Sequence, residues 1–358
     1  MLKALCQSLC LSLPLAANAQ AASVVFLNPG LSTETFWVSY ARFMQAAADD
    51  LGMTLRVEYS ERNAERTLSQ ARALLKGPQR PDYLVLVNEQ YVAPEIIRLS
   101  KGTGVKLFLV NNGLTASQAQ SIEAQPEKYP QVLGTLTTND EQAGYQMLHQ
   151  MVALLPRTDG PVDLVAFAGV KTTPASQQRE AGMRRALADF PQVRLRQVVY
   201  GGWSRERAFE QARVLLQRYP DTTLVWSAND EMAFGAMQAF EAAGRMPGRD
   251  AVFSAVNSSP EALRARVDGR LGVLMGGHFT LGGWAMVMLH DDARGLEVNR
   301  DGLRVHSVPA LQSIDQAKAR RWLKLLEQAD HGVDFQPYSA EGRPADYTYP
   351  FLTAPMDY

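Results

Sequence analysis

Cysteine is almost missing from this 358-residue chain: Cys6 and Cys10 are the two it has, both within the first ten residues. Beyond them no disulfide can form, and no thiol is at hand for covalent catalysis or metal capture. An excess of either charge is missing too. The 36 Lys and Arg stand against 37 Asp and Glu, for a net charge of −1, so the chain has no basic excess to hold phosphate backbones or anionic lipid headgroups. No apolar run reaches the roughly 18 residues that a helix needs to span a bilayer. The five histidines, His149, His278, His290, His306 and His331, form no His-Glu-x-x-His pattern, and no Gly-x-Ser-x-Gly elbow occurs. The commonest zinc and serine hydrolase signatures are thereby removed. No cofactor and no metal is expected.

What is present begins with a leader. Met1-Leu2-Lys3 is followed by an apolar run over 4–16 and by Ala17-Asn18-Ala19, with small residues where a signal peptidase needs them. Residues 1–19 are expected to be a signal peptide cleaved after Ala19, leaving a soluble, cysteine-free protein exported from the cytoplasm. Leu5 and Leu9 precede the two cysteines, where lipid attachment would need a small residue, so no lipid anchor is expected. The remaining length suits two domains of roughly 150 residues each.

Strand-length apolar runs then alternate with helical periodicity, the pattern of parallel sheet with crossover helices. Strands are expected at 23–27, 54–59, 83–87, 106–110 and 131–136, with helices at 36–51, 64–75, from about 94, and from Asp140 to about 155. After the loop 156–161 a second, similar set follows: strands at 162–168, 194–199, 223–227, 251–255, 271–275 and 304–308, with helices at 178–189, 205–217, 230–243, 260–268, 281–290 and 314–327. The stretch 334–358, rich in Pro and Tyr, has no clear period and is expected to lie along a lobe surface or be partly mobile.

In such sheets ligands bind beyond the carboxyl ends of the strands, where turns converge and helix N-termini present free N–H groups. This chain puts polar residues there: Asn28 and Glu34 after the first strand, Asn88 after the third, Asn111-Asn112 after the fourth, Thr138-Asn139 near the fifth, then Asn229-Asp230, Asn257 and His278. Any single Asn at such a corner serves equally well as a cap or turn residue.

At these residues the chain resembles the periplasmic sugar-binding proteins of the ribose-binding type. Phe36-Trp37-Val38-Ser39 resembles the family's Phe-Phe pair that opens the first helix, and Gln177-Gln178-Arg179-Glu180-Ala181-Gly182-Met183 the segment whose Arg bonds sugar hydroxyls. Trp203 stands where a further stacking aromatic is expected, and Asn229-Asp230-Glu231-Met232-Ala233-Phe234-Gly235 matches most closely. Asn88 falls at the polar end of the third strand. Asn111-Asn112 replaces a common Asp-Arg pair, Asn257 replaces an Asp, and His278 lies in a segment that replaces the family's Gln-containing hinge, which argues against ribose itself. His278 suits ligand bonding and hinge duty alike.

The resemblance implies an α/β fold of two Rossmann-like lobes, parallel sheets flanked by helices, joined by a three-segment hinge near Thr137, Gly277 and Val308. The N-terminal lobe would take 23–136 plus 278–307, the C-terminal lobe 138–276 plus 309–330, with 334–358 as a tail. It also implies one small, neutral, polyhydroxylated ligand in the interlobe cleft, a monosaccharide before all others, held by Glu34, Phe36, Trp37, Asn88, Asn111, Asn112, Arg179, Trp203, Asn229, Asp230, Asn257 and His278. Rings offer flat apolar faces to sugar C–H groups, amides donate and accept, and Arg supplies a rigid donor fork. Loss of Arg179 or Asp230 is expected to weaken binding and to leave the empty protein's stability nearly unchanged, both being solvated in an open cleft.

The implied partner is an ABC permease or, alternatively, the periplasmic domain of a membrane sensor, with the receptor itself a monomer. The stretch Ser32-Thr33-Glu34-Thr35-Phe36-Trp37 also resembles the receptor for autoinducer-2, a furanosyl borate signal whose pocket uses two arginines; Arg179 alone is placed. A secreted carbohydrate-active hydrolase is the competing enzyme class, with Glu34 and Asp230 as its carboxylate pair. A transcription factor is disfavoured because the leader stands where a helix-turn-helix would be.

Overall fold

Branched and aromatic residues dominate the apolar runs, and nearly every residue of the central strands is buried on both sheet faces, as parallel strands covered by helices must be. The computed structural model describes residues 21–122, 126–156, 160–299, 304–326 and 332–356; the expected leader lies outside them. In chain order the first five strands are β1 (Ser23–Asn28), β2 (Thr54–Tyr59), β3 (Tyr83–Leu86), β4 (Lys106–Asn111) and β5 (Val132–Thr138). Helices α1 (Thr35–Asp50), α2 (Ala64–Lys76), α3 (Ala93–Leu99) and α4 (Ala116–Ile122) connect them. The helix α5 (Asp140–Ala153) leads to β6 (Val162–Ala168), α6 (Pro174–Ala186), β7 (Val193–Tyr200), α7 (Arg205–Arg218) and β8 (Thr222–Ser227). Then come α8 (Asp230–Ala242), β9 (Val252–Val256), α9 (Pro260–Val267), β10 (Val273–Gly276), α10 (Leu281–Ala293), β11 (Val305–Val308), β12 (Gln312–Ser313), α11 (Gln316–Leu325) and α12 (Pro350–Thr353).

The strands form two six-stranded sheets, ordered β2-β1-β3-β4-β5-β11 and β7-β6-β8-β9-β10-β12. The order is the same in both, and every pairing is parallel except β10 with β12. Each sheet therefore reverses its winding beside its first strand, which opens a crevice at the carboxyl edge. The chain passes between the sheets after Thr138, after Gly276 and between Val308 and Gln312. Asn139 ties two of these passages together: its amide donates to the Leu311 carbonyl at 3.1 Å and accepts from the Leu311 N–H at 3.0 Å.

One close approach positions the site. A Cβ on Gly182 of α6 would sit 1.9 Å from the Glu141 carbonyl of α5, and one on Gly144 would sit 2.0 Å from the Arg179 carbonyl. The two helices touch backbone to backbone because both positions are glycine, and that contact brings Asp140 beside Arg179.

The segment 334–358 differs from expectation. Its described part is built into the first lobe's core: Phe335 and Phe351 are fully buried, and Phe351 stacks on Trp284 at 4.9 Å between ring centroids. The buried Asp291 carboxylate accepts from Ser339 Oγ at 2.5 Å, from the Ala340 N–H at 2.6 Å and from Tyr349 Oη at 2.8 Å, while the Phe335 N–H donates to Asp50 at 2.6 Å. Aromatic burial supplies the anchor that lack of periodicity concealed. Phe351→Ala is expected to lose about 3 to 5 kcal/mol of stability through the cavity it leaves, read as a lower urea midpoint.

Candidate ligand-binding site

The carboxyl edges of the two sheets face each other across a cavity lined from both lobes. The first lobe contributes Glu34, Phe36 and Trp37 from the start of α1, Arg62 after β2, Glu89 after β3, and Asn111 and Asn112 at the end of β4. The second contributes Thr173, Ala175 and Arg179 around the start of α6, Trp203 after β7, Asn229 after β8 and Asn257 after β9, with His278 on the middle passage.

Arg179 is locked. Its Nε donates to Asp140 Oδ1 at 2.6 Å, its Nη1 donates to the Ala228 carbonyl at 2.7 Å, and Nη2 stands 3.4 Å from His278 Nε2. Thr138 Oγ1 holds the other oxygen of Asp140. The pairing with Glu180 that its position suggests does not occur, since Glu180 bonds Arg184 and Tyr200 instead. His278 stacks on Phe36 at 4.5 Å between centroids. Burial, and then the Arg179 charge, hold its pKa well below the usual value, so the ring is neutral.

A second ionic group stands across the cavity. Arg62 donates from Nε to Glu34 Oε2 at 3.0 Å and from Nη1 to Glu89 Oε1 at 3.3 Å. Burial raises the Glu89 pKa, opposed by Arg62, Thr173 and Trp203. Direct hydrogen bonds cross between lobes: Thr173 Oγ1 donates to Glu89 at 2.7 Å, the Ala175 N–H to Asn112 Oδ1 at 2.9 Å, and Gln177 Nε2 to Tyr91 Oη at 2.7 Å. The lobes are closed on each other. Trp203 fits because residue 169 is glycine, where a Cβ would fall 2.1 Å from the indole. Buried polar atoms of lining residues, among them Trp37 Nε1, Asn111 Oδ1 and His278 Nδ1, have no protein partner, and buried polar atoms of this kind call for one.

Facing parallel-sheet edges with an amphiphilic cavity between them agree with the sequence pattern of the periplasmic binding protein domain, which matches residues 24–297. The chain belongs to that family. A periplasmic sugar-binding protein of Pseudomonas fluorescens shares 56% identity with it at a TM-score of 0.85, over 92% of this chain and 98% of that one. Ribose import binding protein RbsB of Salmonella typhimurium is 23% identical over 317 residues, 88% of this chain and 96% of that protein. The fold is also that of a galactofuranose-binding protein, at 17% identity and TM-score 0.71, over 85% of this chain and 97% of that one. No helix among the described residues is long and apolar enough to cross a membrane.

Among the residues expected at the site, Asn88 and Asp230 stand outside the lining of this binding protein's cavity. Asn88 accepts from the Ala93 N–H and donates to the Gly113 carbonyl and to Gln118. Asp230 accepts from Asn257 Nδ2 at 2.7 Å and Ser259 Oγ at 2.6 Å, and so aims Asn257. Sequence reasoning missed Arg62 and Glu89, which follow β2 and β3, and Thr173 and Ala175, which stand at the start of α6.

Two outcomes follow from these contacts. Arg179 is 4% exposed and its loss strands Asp140, so Arg179→Ala is expected to lower stability without ligand by about 3 to 5 kcal/mol, seen in urea unfolding; the near-neutral effect expected for a solvated group does not fit this burial. Burial, partly offset by the Ser259 and Asn257 bonds, raises Asp230 to about 6. The native state thus keeps a proton that the unfolded chain releases near pH 4, and this group's stabilisation is complete below about pH 4 and lost as pH rises through about 6. The stability of the wild type minus that of Asp230→Asn should fall by about 2 to 3 kcal/mol between pH 4 and 7, measured by urea melts at fixed ionic strength.

Proposed function

We propose that this protein captures one neutral monosaccharide, or a closely related polyol, between its lobes in the periplasm and delivers it to an ABC permease. One observation carries the reading: a cavity between the lobes lined by Trp37 and Trp203, whose remaining lining offers amides, a fixed guanidinium and buried unpartnered polar atoms. Indole faces take up sugar C–H surface, and amides serve hydroxyls as both donors and acceptors. The 56% identity with a periplasmic sugar-binding protein supports the ligand class. A role as binding protein rather than hydrolase is supported by the carboxylates: Asp230 is committed to Asn257 and Ser259 and stands outside the lining, and the two that do line the cavity, Glu34 and Glu89, are both bonded to Arg62. Export is supported by the family's compartment and by the leader sequence; N-terminal sequencing of the periplasmic protein should begin at Gln20.

A signal-receptor reading gains one observation, since Arg62 supplies a second arginine in the lining. Both guanidiniums, however, are bonded to protein carboxylates, which favours solute capture. A thermal-shift panel of pentoses, hexoses, furanosyl signals, polyols, amino acids and organic acids tests both. A ligand at 1,000 times its Kd stabilises by about 4 kcal/mol; the expected responders are neutral sugars. For the sugar that responds, Trp203→Ala should weaken calorimetric affinity by about 2 kcal/mol. Response to amino acids alone would end the sugar reading.

A further inference from the structure

We propose that Glu34, Arg62 and Glu89 act as a charge filter that admits uncharged sugars and turns sugar acids away, an inference that rests on the sugar reading above. A buried guanidinium with free donors is a carboxylate fork. Here neither fork is free: Arg62 is gripped by Glu34 and Glu89, and Arg179 by Asp140. The lining carboxylates Glu34 and Glu89 balance the two guanidiniums, and Asp140 behind Arg179 adds a third carboxylate, so no positive charge is left over for an anion. Glu89 cannot swing aside. It is 5% exposed and its carboxylate also accepts from Thr173 Oγ1 at 2.7 Å and Asn112 Nδ2 at 3.3 Å.

The backbone supports the same assignment. Glu61 and Arg62 have φ of 52° and 58°, and Gln90 and Tyr91 have φ of 49° and 64°. Gln90 Nε2 donates to the Arg62 carbonyl at 3.1 Å and joins the two turns. Two successive left-handed pairs are costly for non-glycine residues and persist where function holds them. The unpartnered atoms in the same cavity belong to an indole, an amide and a neutral imidazole, groups that suit hydroxyls. A carboxylate entering within about 4 Å of Glu89 would lose on the order of a hundredfold or more in affinity at an effective dielectric constant of about 20.

The test uses the purified protein and matched pairs: D-galactose with D-galacturonate, D-glucose with D-glucuronate, and D-ribose with D-ribonate, by thermal shift and calorimetry. The wild type should bind a neutral member at least about 100-fold more tightly than its acid. Glu89→Gln keeps an acceptor for Thr173 and removes one charge, and should narrow that ratio by at least about tenfold. Arg62→Gln adds net negative charge and should keep the ratio or widen it. Unliganded melts establish that each variant folds, and Glu34→Gln replaces Glu89→Gln if the latter does not. Equal ratios in the wild type and both variants, or a wild type that takes acids as readily as neutral sugars, would overturn the filter and leave sugar binding standing. A panel in which no sugar of either kind binds would overturn the sugar reading and the filter together.

Discussion

A parallel sheet delivers every strand-to-helix turn to the same edge, and this protein sets two such edges against each other. Everything at the site follows from that constraint. Turns at one edge cannot supply both walls of an enclosed cavity, and so Trp37 and Trp203 arrive from different sheets, as do Glu89 and Thr173. The matching strand order of the two sheets gives the cleft its approximate symmetry: the turn after the first strand of each sheet leads into the helix that carries a lining group, Trp37 on α1 and Arg179 on α6.

Charges in a place this dry must be paired. A buried guanidinium left alone costs far more than any ligand bond returns, and the fold answers with carboxylates of its own: Asp140 for Arg179, Glu34 and Glu89 for Arg62. The Asp140 pair depends on a contact remote from the ligand cavity. Larger residues at Gly144 and Gly182 would push α5 and α6 apart and separate the ion pair whose Nη2 edge meets His278. Packing density and site electrostatics are one design here.

Periodicity made most of the strands and helices legible, because alternating buried strands and amphipathic helices leave their marks within short windows of sequence. It failed for β12, which has two residues, and for α4, a seven-residue helix in a polar stretch. The tail was misjudged for a related reason: Phe335, Tyr349 and Phe351 are held by long-range aromatic packing and by Asp291, and such contacts have no local signature. At the site, most candidates were found by asking what stands at strand ends. Arg62 and Glu89 escaped because an Arg or Glu in a turn reads as solvated until the opposite lobe covers it, and that covering is a tertiary fact. Asn88 and Asp230 show the converse, since a polar group at the right corner can spend all its bonds on the backbone and side chains beside it.

The backbone marks the cavity more sharply than the side chains do. Among the described residues, positive φ without glycine occurs at Glu61, Arg62, Gln90, Tyr91, Asn111, Trp203 and Asn257. Four of these line the cavity, and the other three stand within two residues of the lining residues Arg62 and Glu89. Asn tolerates the left-handed region, but Glu, Arg, Gln, Tyr and Trp do so at a cost. No comparable strain occurs in the described α-helices or at the amino edges of the described sheets. The cost is borne where side chains must turn back over a strand end to reach the cleft, and it is sustained by two well-packed sheets whose cores contain no such residue. Strain confined to one edge of a stable scaffold is what a protein selected for a particular occupant of that edge retains, whereas a protein selected for stability alone would replace those residues with glycine.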